Sequence, residues 1–590
     1  MPSTFFGLNI GTTGLFTYQA ALNTTSHNIA NAETTGYTRQ VILQKAGTAI
    51  RVNGAYGMVG TGVDVYGIQQ VRNLYYDEKY WKNNTIYGEY SSKEHYMDQI
   101  QSYLNEVKLE GFTTSFNSFN DYLQEIKKDA SSTSVRTQVA SYGQSLAEYF
   151  NSLSTNLKKI QEECNSEVKN QVDRINSIGK QIAALTKQIN TIEVSGGIAN
   201  DLRDERALLE DELSQYVNIS VSEEAVGDGV GIYSYTVRIN NQVLVDTTTS
   251  NELKVVPRQD KVNQNDISGL YDIEWASGQS FDTTSATLGG SLQALFEVRD
   301  GNNGENLRGQ ITGDVGDMTV TLEGANINDI EKLNIPPSGT ITIGNQEYNY
   351  TGFTATPHTV TDPVTGAVKQ TYTYEFTLDK GLTSAVTNGS AKVGERISYK
   401  GIPYYMGQLN EFVRTYAKNF NDIHKTGQDL DGNQGLDFFN GGGDVTEFNS
   451  AEDYYKLTAS NFMVNSIIYD DPRRIVTAGE ITNGVEDTSV LDSLIALKND
   501  KTMFKQGAPA SFLQTLVADI GIDAKAAANF SKSQNDILSM IDNQRISVSG
   551  VDTEEEAMNM IRYQHAYNLS AQVISVMNEI YNKLINEMGV

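Results

Sequence analysis

The sequence predicts an α+β multidomain protein in which the terminal helices pair as an α-helical coiled coil, a helical hairpin forms the core and β-rich domains lie outside. Three observations support this fold class. Both ends of the chain show helical apolar spacing, with no charged residue between Gly14 and Ala32 or between Arg562 and Glu579. Apolar residues at heptad spacing form a seam from Cys164 to Ile192. From Val217 to about Gly401, short β-prone runs alternate with turns rich in Gly, Asn, Asp and Thr.

The composition narrows the functional classes. The 590 residues suffice for about four domains of roughly 150 residues each. A formal net charge of −28 repels phosphate backbones and anionic lipid, so we expect no nucleic-acid and no membrane partner. The single cysteine, Cys164, excludes an intrachain disulfide and a cysteine-based metal centre. No run approaches the ~18 apolar residues of a membrane span, and no cleavable secretory signal is recognisable at the start.

One apolar stripe marks the N-terminal helix. Its residues follow a 3-4-3-4 spacing, which predicts one helical face that serves as an assembly interface: Leu15, Tyr18, Leu22, Thr25 and Ile29. We expect Thr12 or Thr13 to cap the start of this helix and Gly36 to lie just past its end. A solvated helix normally carries Lys and Glu opposite its apolar stripe, whereas uncharged polar side chains fill the other faces here.

A second stripe marks a long C-terminal helix. Thr553 and Glu556 are predicted to form a capping box at its start. The predicted assembly interface of this helix follows the same alternating spacing: Tyr563, Tyr567, Ile574, Met577, Tyr581, Leu584 and Met588. Further apolar residues, among them Leu569 and Val576, widen the stripe to an arc of about 160°.

Local breaks divide the chain between its two ends. Short strands are predicted from Val41 to Gln70, and helices resume near Arg72. The helices break near Gly111, near Ser131 and at Ser195–Gly197. The helix that follows the last break is expected to fold back on the heptad seam as an antiparallel hairpin.

Turn signals also organise the β-rich region. Asn240–Asn241 and Gly344–Asn345 each follow a β-prone run and are predicted to be turns. A short helix is expected from Ser291 to Arg299, and a boundary between two β modules near Gly309.

These changes of pattern predict five units, the first of which combines the two ends of the chain. They are 1–70, an N-terminal assembly helix with a β-hairpin segment, which pairs with the C-terminal assembly helix of 544–590; 71–216, a helical domain with the coiled-coil hairpin; 217–309, a β-rich domain; 310–401, a β-rich insertion; and 402–543, return helices and loops that complete the helical domain.

We find no constellation that predicts a catalytic, cofactor-binding or metal site. The five histidines lack the spacing of metal ligands, and the chain contains neither a P-loop nor a G-x-S-x-G elbow. Asp429–Asn433 resembles the start of a calcium loop, but Gly432 comes too early and Asn440 stands at the twelfth position, so a turn is the better interpretation. The sequence therefore indicates a protein that is not an enzyme.

The uncharged terminal helices allow two interpretations. They could pack on each other inside one closed domain, or they could be surrounded by the same helices of other copies. Uncharged faces favour the second interpretation, because neighbours can approach closely without burying an unpaired charge. Such helices would be completed only on assembly, since isolated helices form poorly in water.

Several segments resemble one family. Ser26–Gln40, with Asn28, Asn31, Thr35, Gly36, Tyr37 and Arg39 as its motif, is similar to the N-terminal signature of the flagellar rod, hook and hook-associated proteins. Residues 560–567 and 584–586 resemble the C-terminal signature of that family. Three internal landmarks, 201–213, 289–300 and 419–432, resemble the family members of the hook–filament junction, whereas 310–401 shows no landmark.

The resemblance implies a structural subunit of the bacterial flagellum, without a cofactor, that forms a ring or helical homo-oligomer through its two terminal helices. It implies an extracellular location at the hook–filament junction, reached by type III export without a cleaved signal peptide. The implied partners are further copies of the chain, the hook protein, the second junction protein and an export chaperone that binds the C-terminal helix.

Two alternatives remain open at this point. The chain could be another axial protein, such as the hook protein or the second junction protein. It could also carry an adhesin or enzyme module in the β region of residues 217–401.

Overall fold

A computed structural model describes residues 6–51, 57–104, 111–226, 233–361, 368–443, 445–484 and 487–587. The helices in these residues are α1 (Phe6–Ala30), α2 (Leu74–Leu104), α3 (Phe112–Ile126), α4 (Thr133–Val194), α5 (Asn200–Tyr216), α6 (Gly290–Asp300), α7 (Ile402–His424), α8 (Ala451–Lys456), α9 (Ser466–Asp470), α10 (Ser489–Ala496), α11 (Pro509–Ser549) and α12 (Thr553–Asn586).

The strands in the same residues are β1 (Gln40–Ala46), β2 (Ile50–Arg51), β3 (Met58–Val59), β4 (Val63–Gln70), β5 (Ile219–Ala225), β6 (Tyr233–Ile239), β7 (Gln242–Asp246), β8 (Thr249–Ser250), β9 (Leu253–Pro257), β10 (Tyr271–Trp275), β11 (Leu307–Gly313), β12 (Thr319–Glu323), β13 (Gly339–Ile343), β14 (Gln346–Thr361), β15 (Val368–Leu378), β16 (Val386–Val393), β17 (Phe439–Asn440) and β18 (Met463–Val464).

The two terminal helices pair with each other in opposite directions, which confirms the pairing that the fold class predicts. The expected N-terminal cap is wrong, because the chain is already helical at Phe6 and Thr12 and Thr13 lie inside α1. Their hydroxyls donate instead to carbonyls of the preceding turn, at Leu8 (2.9 Å) and Ile10 (3.1 Å). A Ser or Thr hydroxyl inside a helix commonly donates a hydrogen bond to a carbonyl of the preceding turn, so it does not mark a helix end.

A helical hairpin forms the long axis of the central domain. The 62 residues of α4 span about 93 Å, and α5 folds back against its C-terminal part. The turn between them contains Gly196 with a φ of 88°, a conformation that glycine adopts without strain. The predicted breaks are present: Gly111 precedes α3, and the Ser132 side chain caps α4. The heptad seam is buried on α4 except at its last member, Ile192.

One hydrophobic core joins this helical domain to the first β-rich region. Phe112, Phe150 and Phe412 meet at its centre, with ring centroids 5.1–6.0 Å apart. The sheet of β5–β8 shares this core rather than enclosing one of its own, because side chains such as Leu244 pack against α4 at Gly179. The described residues of 217–226 and 233–300 therefore pack onto the helical hairpin.

The first β hairpin turns where the sequence predicts it. Asn240 and Asn241 adopt φ values of 46° and 62° between β6 and β7. Both residues thus occupy the left-handed region that a two-residue hairpin turn of type I′ requires, and Asn tolerates that region better than most residues.

A second core lies inside a closed barrel of six strands. The strand order is β11-β12-β15-β14-β13-β16, so β16 returns beside β11 and closes the sheet. Tyr350, Tyr374 and Phe376 fill the interior together with aliphatic side chains from every strand. Leu307, at the start of the barrel, pairs directly with Val393, at its end.

Arg414 of α7 connects the barrel to the helical domain through hydrogen bonds. Its buried guanidinium donates to the carbonyls of Leu457 (2.8 Å), Tyr455 (2.7 Å) and Leu333 (2.8 Å), the last of which belongs to the barrel module. The Tyr455 ring of α8 packs on Phe353 of β14, with centroids 5.0 Å apart. A cation with donors in a fixed fork thus holds two separately cored units in one arrangement.

Candidate assembly interface at the paired terminal helices

Small residues of α1 bring α12 into close contact. A Cβ atom built on Gly7 would lie 2.6 Å from Met577, one on Gly11 would lie 2.9 Å from Ile574, and one on Gly14 would lie 2.9 Å from the Ser570 hydroxyl. Each distance is shorter than real Cβ contacts allow. The two backbones therefore approach as closely as they do because these positions carry no side chain.

The predicted interface residues of α1 surround this contact. Thr25 is buried, and Leu15, Tyr18, Leu22 and Ile29 are partly buried. The inner face of α1 consists mainly of smaller residues than the apolar stripe suggests: Gly11, Gly14, Thr17, Ala21, Thr24, Thr25 and Asn28.

The predicted residues of α12 divide between the two sides of the helix. Ile574 and Met577 contact α1 of the same chain. Tyr581 is buried, Tyr563 and Tyr567 are partly buried and Leu584 is exposed, whereas Met588 lies outside the described residues. The role of these residues as contacts between copies stays a prediction.

α12 also carries large apolar side chains that stay exposed beside its contact with α1. Its exposed large hydrophobic side chains are Met558, Ile561, Leu569, Val573, Val576, Ile580, Leu584 and Ile585. From Tyr563 to Asn578 the helix carries no acidic or basic side chain apart from His565. We call these side chains the outer ridge. A group of exposed apolar side chains of this kind is typical of a site that another apolar surface covers.

Where α1 ends, Asn28 binds both the first strand and the last helix. Its Nδ2 donates to the Gln40 carbonyl (2.9 Å) and to Glu556 Oε2 (3.1 Å), and its Oδ1 accepts from the Gln40 amide (3.0 Å). The Tyr37 hydroxyl donates to the same Oδ1 (2.8 Å). Asn28 is fully buried, so these bonds satisfy a side chain that water cannot reach.

Arg39 completes the link to α12. Its Nε donates to Glu556 Oε1 (2.9 Å), its Nη2 donates to Glu555 Oε1 (2.7 Å), and its backbone amide donates to the Ser549 carbonyl (2.8 Å). Glu556 is only 2% exposed, and the carboxylates hold the pKa of Arg39 above its ordinary value against the opposing effect of burial.

The predicted capping box of α12 is therefore wrong. Asp552, not Thr553, caps the helix, and its carboxylate accepts from the amides of Glu554 (2.9 Å) and Glu555 (3.1 Å). Glu556 points away from the cap because Asn28 and Arg39 bind its carboxylate. We call Asn28, Arg39 and Glu556 the terminal cluster.

The same N-terminal segment is anchored to the tip of the helical hairpin. The Thr38 amide donates to Asp204 (2.9 Å), and Gln40 Nε2 donates to Asp201 (2.7 Å). Burial raises the pKa of Asp204 although Thr38 stabilises its charged form. Gly36 has a φ of 79°, and a Cβ there would lie 2.5 Å from Leu208, so this position requires glycine.

The remaining motif residues lie in the turn after α1. Asn31 Nδ2 donates to the His27 carbonyl (3.0 Å), and its Oδ1 accepts from the Thr34 hydroxyl (3.2 Å). Thr35 is exposed in this turn. Burial and the nearby Asp201 raise the pKa of Tyr37.

Sequence reasoning missed the partners of this motif. The sequence around Glu556 predicts a local helix cap, and the family landmark that contains Asp204 predicts no particular contact. No local pattern could have joined them, because Asn28 and Glu556 lie 528 residues apart in the chain.

The described residues also bear on the sequence predictions for metal and thiol chemistry. They contain no group of three or more His, Cys, Asp or Glu side chains that could hold a metal ion. Asp429 Oδ1 accepts from the amides of Asp431 (2.9 Å) and Asn433 (2.8 Å), which is the geometry of the predicted turn. Cys164 is buried on α4, which raises the pKa of its thiol. None of the helices in the described part of the chain could cross a bilayer.

Comparison with known families gives matches along most of the chain. A family described as "Flagellar hook-associated protein FlgK helical domain" matches residues 97–339 and 337–439. "Flagella basal body rod protein" matches residues 8–38, and "Flagellar basal body rod FlgEFG protein C-terminal" matches residues 540–587. Matches at both ends define an axial protein of the bacterial flagellum.

The chain belongs to the family of the flagellar hook-associated protein FlgK, whose helical-domain match covers more than half of its residues. It is 28% identical to "Flagellar hook-associated protein 1" of Bacillus subtilis (strain 168) over 598 aligned residues, which cover 100% of this chain and 99% of that protein. The protein of the same name from Escherichia coli (strain K12) is 27% identical, over 98% of this chain and 99% of that protein.

A solved structure, "The structure of the flagellar hook junction protein FlgK from Burkholderia pseudomallei", aligns with 80% of this chain and 100% of that chain, at 16% identity and a TM-score of 0.45. The relatives named above are structural flagellar proteins. The chain is accordingly a structural, hook-associated axial protein, and its family implies self-assembly in the flagellum and exposure outside the cell. The alternatives of a different axial protein and of an adhesin or enzyme module are not favoured by these matches.

Proposed function

We propose that this chain polymerises through the outer ridge of α12 and the exposed side of α1, and that the polymer is the junction between hook and filament. The main evidence for this proposal is that α1 covers only one side of α12. Several large apolar side chains beside that contact stay exposed, and a stretch of sixteen residues on the same helix carries no acidic or basic group apart from His565. Because these side chains are 40–65% exposed, burying each of them against a neighbouring copy would stabilise the polymer by roughly 1 kcal/mol.

The arrangement of elements suggests how copies would be layered. The terminal helix pairs would form an inner tube, the α4–α5 hairpins would surround it, and the barrels would face the solvent. We infer this order from the exposure of apolar side chains. The outer ridge leaves apolar side chains in contact with water, whereas the barrel buries its apolar side chains in its own core. In the proposed junction one end of the polymer meets the hook protein and the other meets the second junction protein.

The exposed apolar side chains of α12 also support a role for a chaperone in the proposed export. The chain would pass unfolded through the type III apparatus without a cleaved signal peptide, and a chaperone would bind the outer ridge until assembly. A ridge of this kind on a free monomer promotes association with wrong partners. We further propose that the protein has no enzymatic activity and needs no cofactor.

We propose the five sequence segments as the organisation of the molecule. The barrel of residues 307–393 supports an insertion at about 310–401, because its core is separate. The shared core of residues 217–300 and the helices supports treating 217–309 as a β-rich layer of the helical domain. Residue 544 lies within α11, so the return helices and the C-terminal segment meet inside one helix.

A charge placed on the outer ridge tests the proposal. Val576 is 53% exposed on α12, and Val360 is 49% exposed on β14 of the barrel, so Val576→Glu and Val360→Glu are matched in chemistry and exposure. We expect Val576→Glu to abolish polymerisation of the purified chain, because buried carboxylates would face each other around the tube, and Val360→Glu to polymerise normally.

The measurement is sedimentation of polymer together with filament growth in cells that lack the native chain. Normal polymerisation and filament growth with Val576→Glu would contradict the proposed role of the outer ridge. Equal loss in both variants would show a general effect of added charge.

A further inference from the structure

We propose that Glu556 is the residue that sets the register of α12 against α1, so that the two terminal helices pair at one height only. The inference deepens the proposed function, because the height of α12 would decide where each outer ridge meets the next copy. The register itself is a property of the single chain and can be measured without polymer.

The rest of the contact between the two helices offers little to fix a height. The glycines at 7, 11 and 14 face Met577, Ile574 and Ser570, and these positions have no side chain that could make a polar contact and so select one register. The hydroxyls of Thr17 and Ser570 donate within their own helices, to Thr13 (2.8 Å) and Ala566 (2.9 Å). Apolar helix pairs of this kind slip unless a buried polar residue selects one register.

Glu556 meets two side chains that are themselves fixed. Asn28 is bonded in both directions to the backbone of Gln40, and the amide of Arg39 is bonded to Ser549. The neighbouring Thr38 is anchored to Asp204 at the tip of the helical hairpin. The Glu556 carboxylate must therefore lie where Asn28 and Arg39 can donate to it, and contacts with the rest of the molecule fix the positions of these two residues.

A slip by one turn, about 5.4 Å, would remove that acceptor. Met560 would replace Glu556 in one direction and carries no acceptor for Arg39. Asp552 would replace it in the other direction, but this residue precedes the helix and caps it. Either slip leaves the buried Asn28 amide and the Arg39 guanidinium without the carboxylate that pairs with them, which is the arrangement that buried polar groups avoid.

A disulfide reporter tests the register in the full chain. The Cβ position of residue 14 lies 3.6 Å from Ser570 Cβ, within the range that disulfides span. Gly14→Cys with Ser570→Cys therefore reports the native register. Gly14→Cys with Ala566→Cys or with Ile574→Cys reports a shift of one turn, and both of these chains also carry Ser570→Ala, because the Ser570 hydroxyl would lie 2.9 Å from the new Cβ. Oxidation is carried out on dilute monomer isolated by gel filtration, and the native Cys164 is buried and does not interfere.

With the native terminal cluster, we expect the 14–570 disulfide to form and the two shifted disulfides to be at least tenfold less abundant. The double substitution Asn28→Leu and Glu556→Leu keeps the site filled but removes its polar groups. We expect the helix pair to persist by circular dichroism and the shifted disulfides to rise to within threefold of the native one. Glu555→Gln is the matched control, since Glu555 binds Arg39 from an exposed position and is expected to leave the register unchanged.

If the double variant forms only the native disulfide, the proposal is wrong. The connection between α11 and α12 at residues 550–552 would then be enough to fix the register of the two helices. A second variant, Glu556→Gln, covers the case in which the double variant does not pair. We expect it to raise the shifted disulfides at least tenfold above their level in the native chain. If the double variant forms no disulfide and Glu556→Gln forms only the native one, the cluster holds the helices together without selecting a register, and the proposal is wrong.

The outcome is distinguishable from that of the proposed function. A chain with Val576→Glu that fails to polymerise but keeps the native disulfide pattern leaves the register proposal intact. A chain with a mixed register that still polymerises normally supports Glu556 as the register residue and contradicts its consequence for assembly.

Discussion

His424, at the end of α7, is fully buried and held by two backbone groups. Its Nδ1 lies 2.7 Å from the Leu436 carbonyl, and its Nε2 accepts from the Val476 amide at 3.0 Å. These bonds require a neutral ring with the proton on Nδ1. Burial accordingly lowers the pKa of His424 from 6.5 to about 4.

The pKa of His424 predicts a loss of stability in acid. The unfolded chain binds a proton near pH 6.5, whereas the folded chain does so only near pH 4, so the contribution is complete above pH 6.5 and disappears as the pH falls toward 4. The total is roughly 3 kcal/mol. We expect the thermal unfolding midpoint of His424→Gln to fall less between pH 7 and 4.5 than that of the native chain. His95→Gln, at an exposed position of α2, should follow the native curve; parallel curves for all three chains would contradict the assignment.

Glu210 on α5 produces the opposite dependence. It is buried, it accepts from the Tyr235 hydroxyl, and Arg206 lies 3.6 Å away. Burial raises its pKa from 4.5 to about 7. Because the folded chain binds this proton more tightly than the unfolded one, its contribution is complete below pH 4.5 and is lost as the pH rises through 7. We expect Glu210→Gln to gain stability relative to the native chain between pH 5 and 8, as measured by urea unfolding; a constant difference would show that Glu210 does not titrate there.

At the scale of elements, the closeness of α1 and α12 depends on glycine. A leucine at position 11 would meet Ile574, which lies 2.9 Å from the point that its Cβ would occupy, and the backbone carbonyl of Ser570. Overpacking of this kind typically costs about 1–3 kcal/mol. We expect Gly11→Leu to lower the hydrogen-exchange protection of residues 566–581 by roughly ten- to a hundredfold while α4 keeps its protection.

The control for this prediction is another glycine inside a helix. Gly521→Leu on α11 places a side chain near the flexible end of Gln101, at 3.5 Å, and should leave α12 unchanged. Equal protection in Gly11→Leu and in the native chain would mean that the two terminal helices do not pair as closely as the glycine stripe requires.

At the scale of the whole molecule, the barrel begins and ends at adjacent positions. Leu307 pairs with Val393 across β11 and β16, so a short Gly-Ser linker can replace the residues between them. We expect the shortened chain to fold and polymerise, with a lower unfolding temperature because Tyr455 and Arg414 lose contacts with the barrel. Removal of residues 219–250 should instead unfold the helical domain, because those strands share its core. Unfolding of both shortened chains, measured by circular dichroism, would contradict the separation of the two cores.

The parts of this fold that local chemistry decides were predictable from the sequence. Asn240–Asn241 suits a tight hairpin turn, and the breaks predicted near Gly111 and Ser131 lie just before α3 and α4, because each signal acts within a few residues. The closure of the barrel was not predictable, since it depends on the pairing of β16 with β11, which lies more than seventy residues earlier in the chain. The role of Glu556 was hidden for the same reason, since its nearest local pattern, a capping box, is a plausible competitor.

The connection through Arg414 also decides how the barrel responds to motion. Its guanidinium binds carbonyls from separate stretches of chain, at Leu457, Tyr455 and Leu333, and the guanidinium itself is shielded from water. A module on a loose tether would trail behind a rotating shaft and feel little torque. If the barrels face the solvent in the polymer as proposed, each would move through the surrounding fluid as a rigid body, and the viscous load on it would pass through Arg414 to the helices.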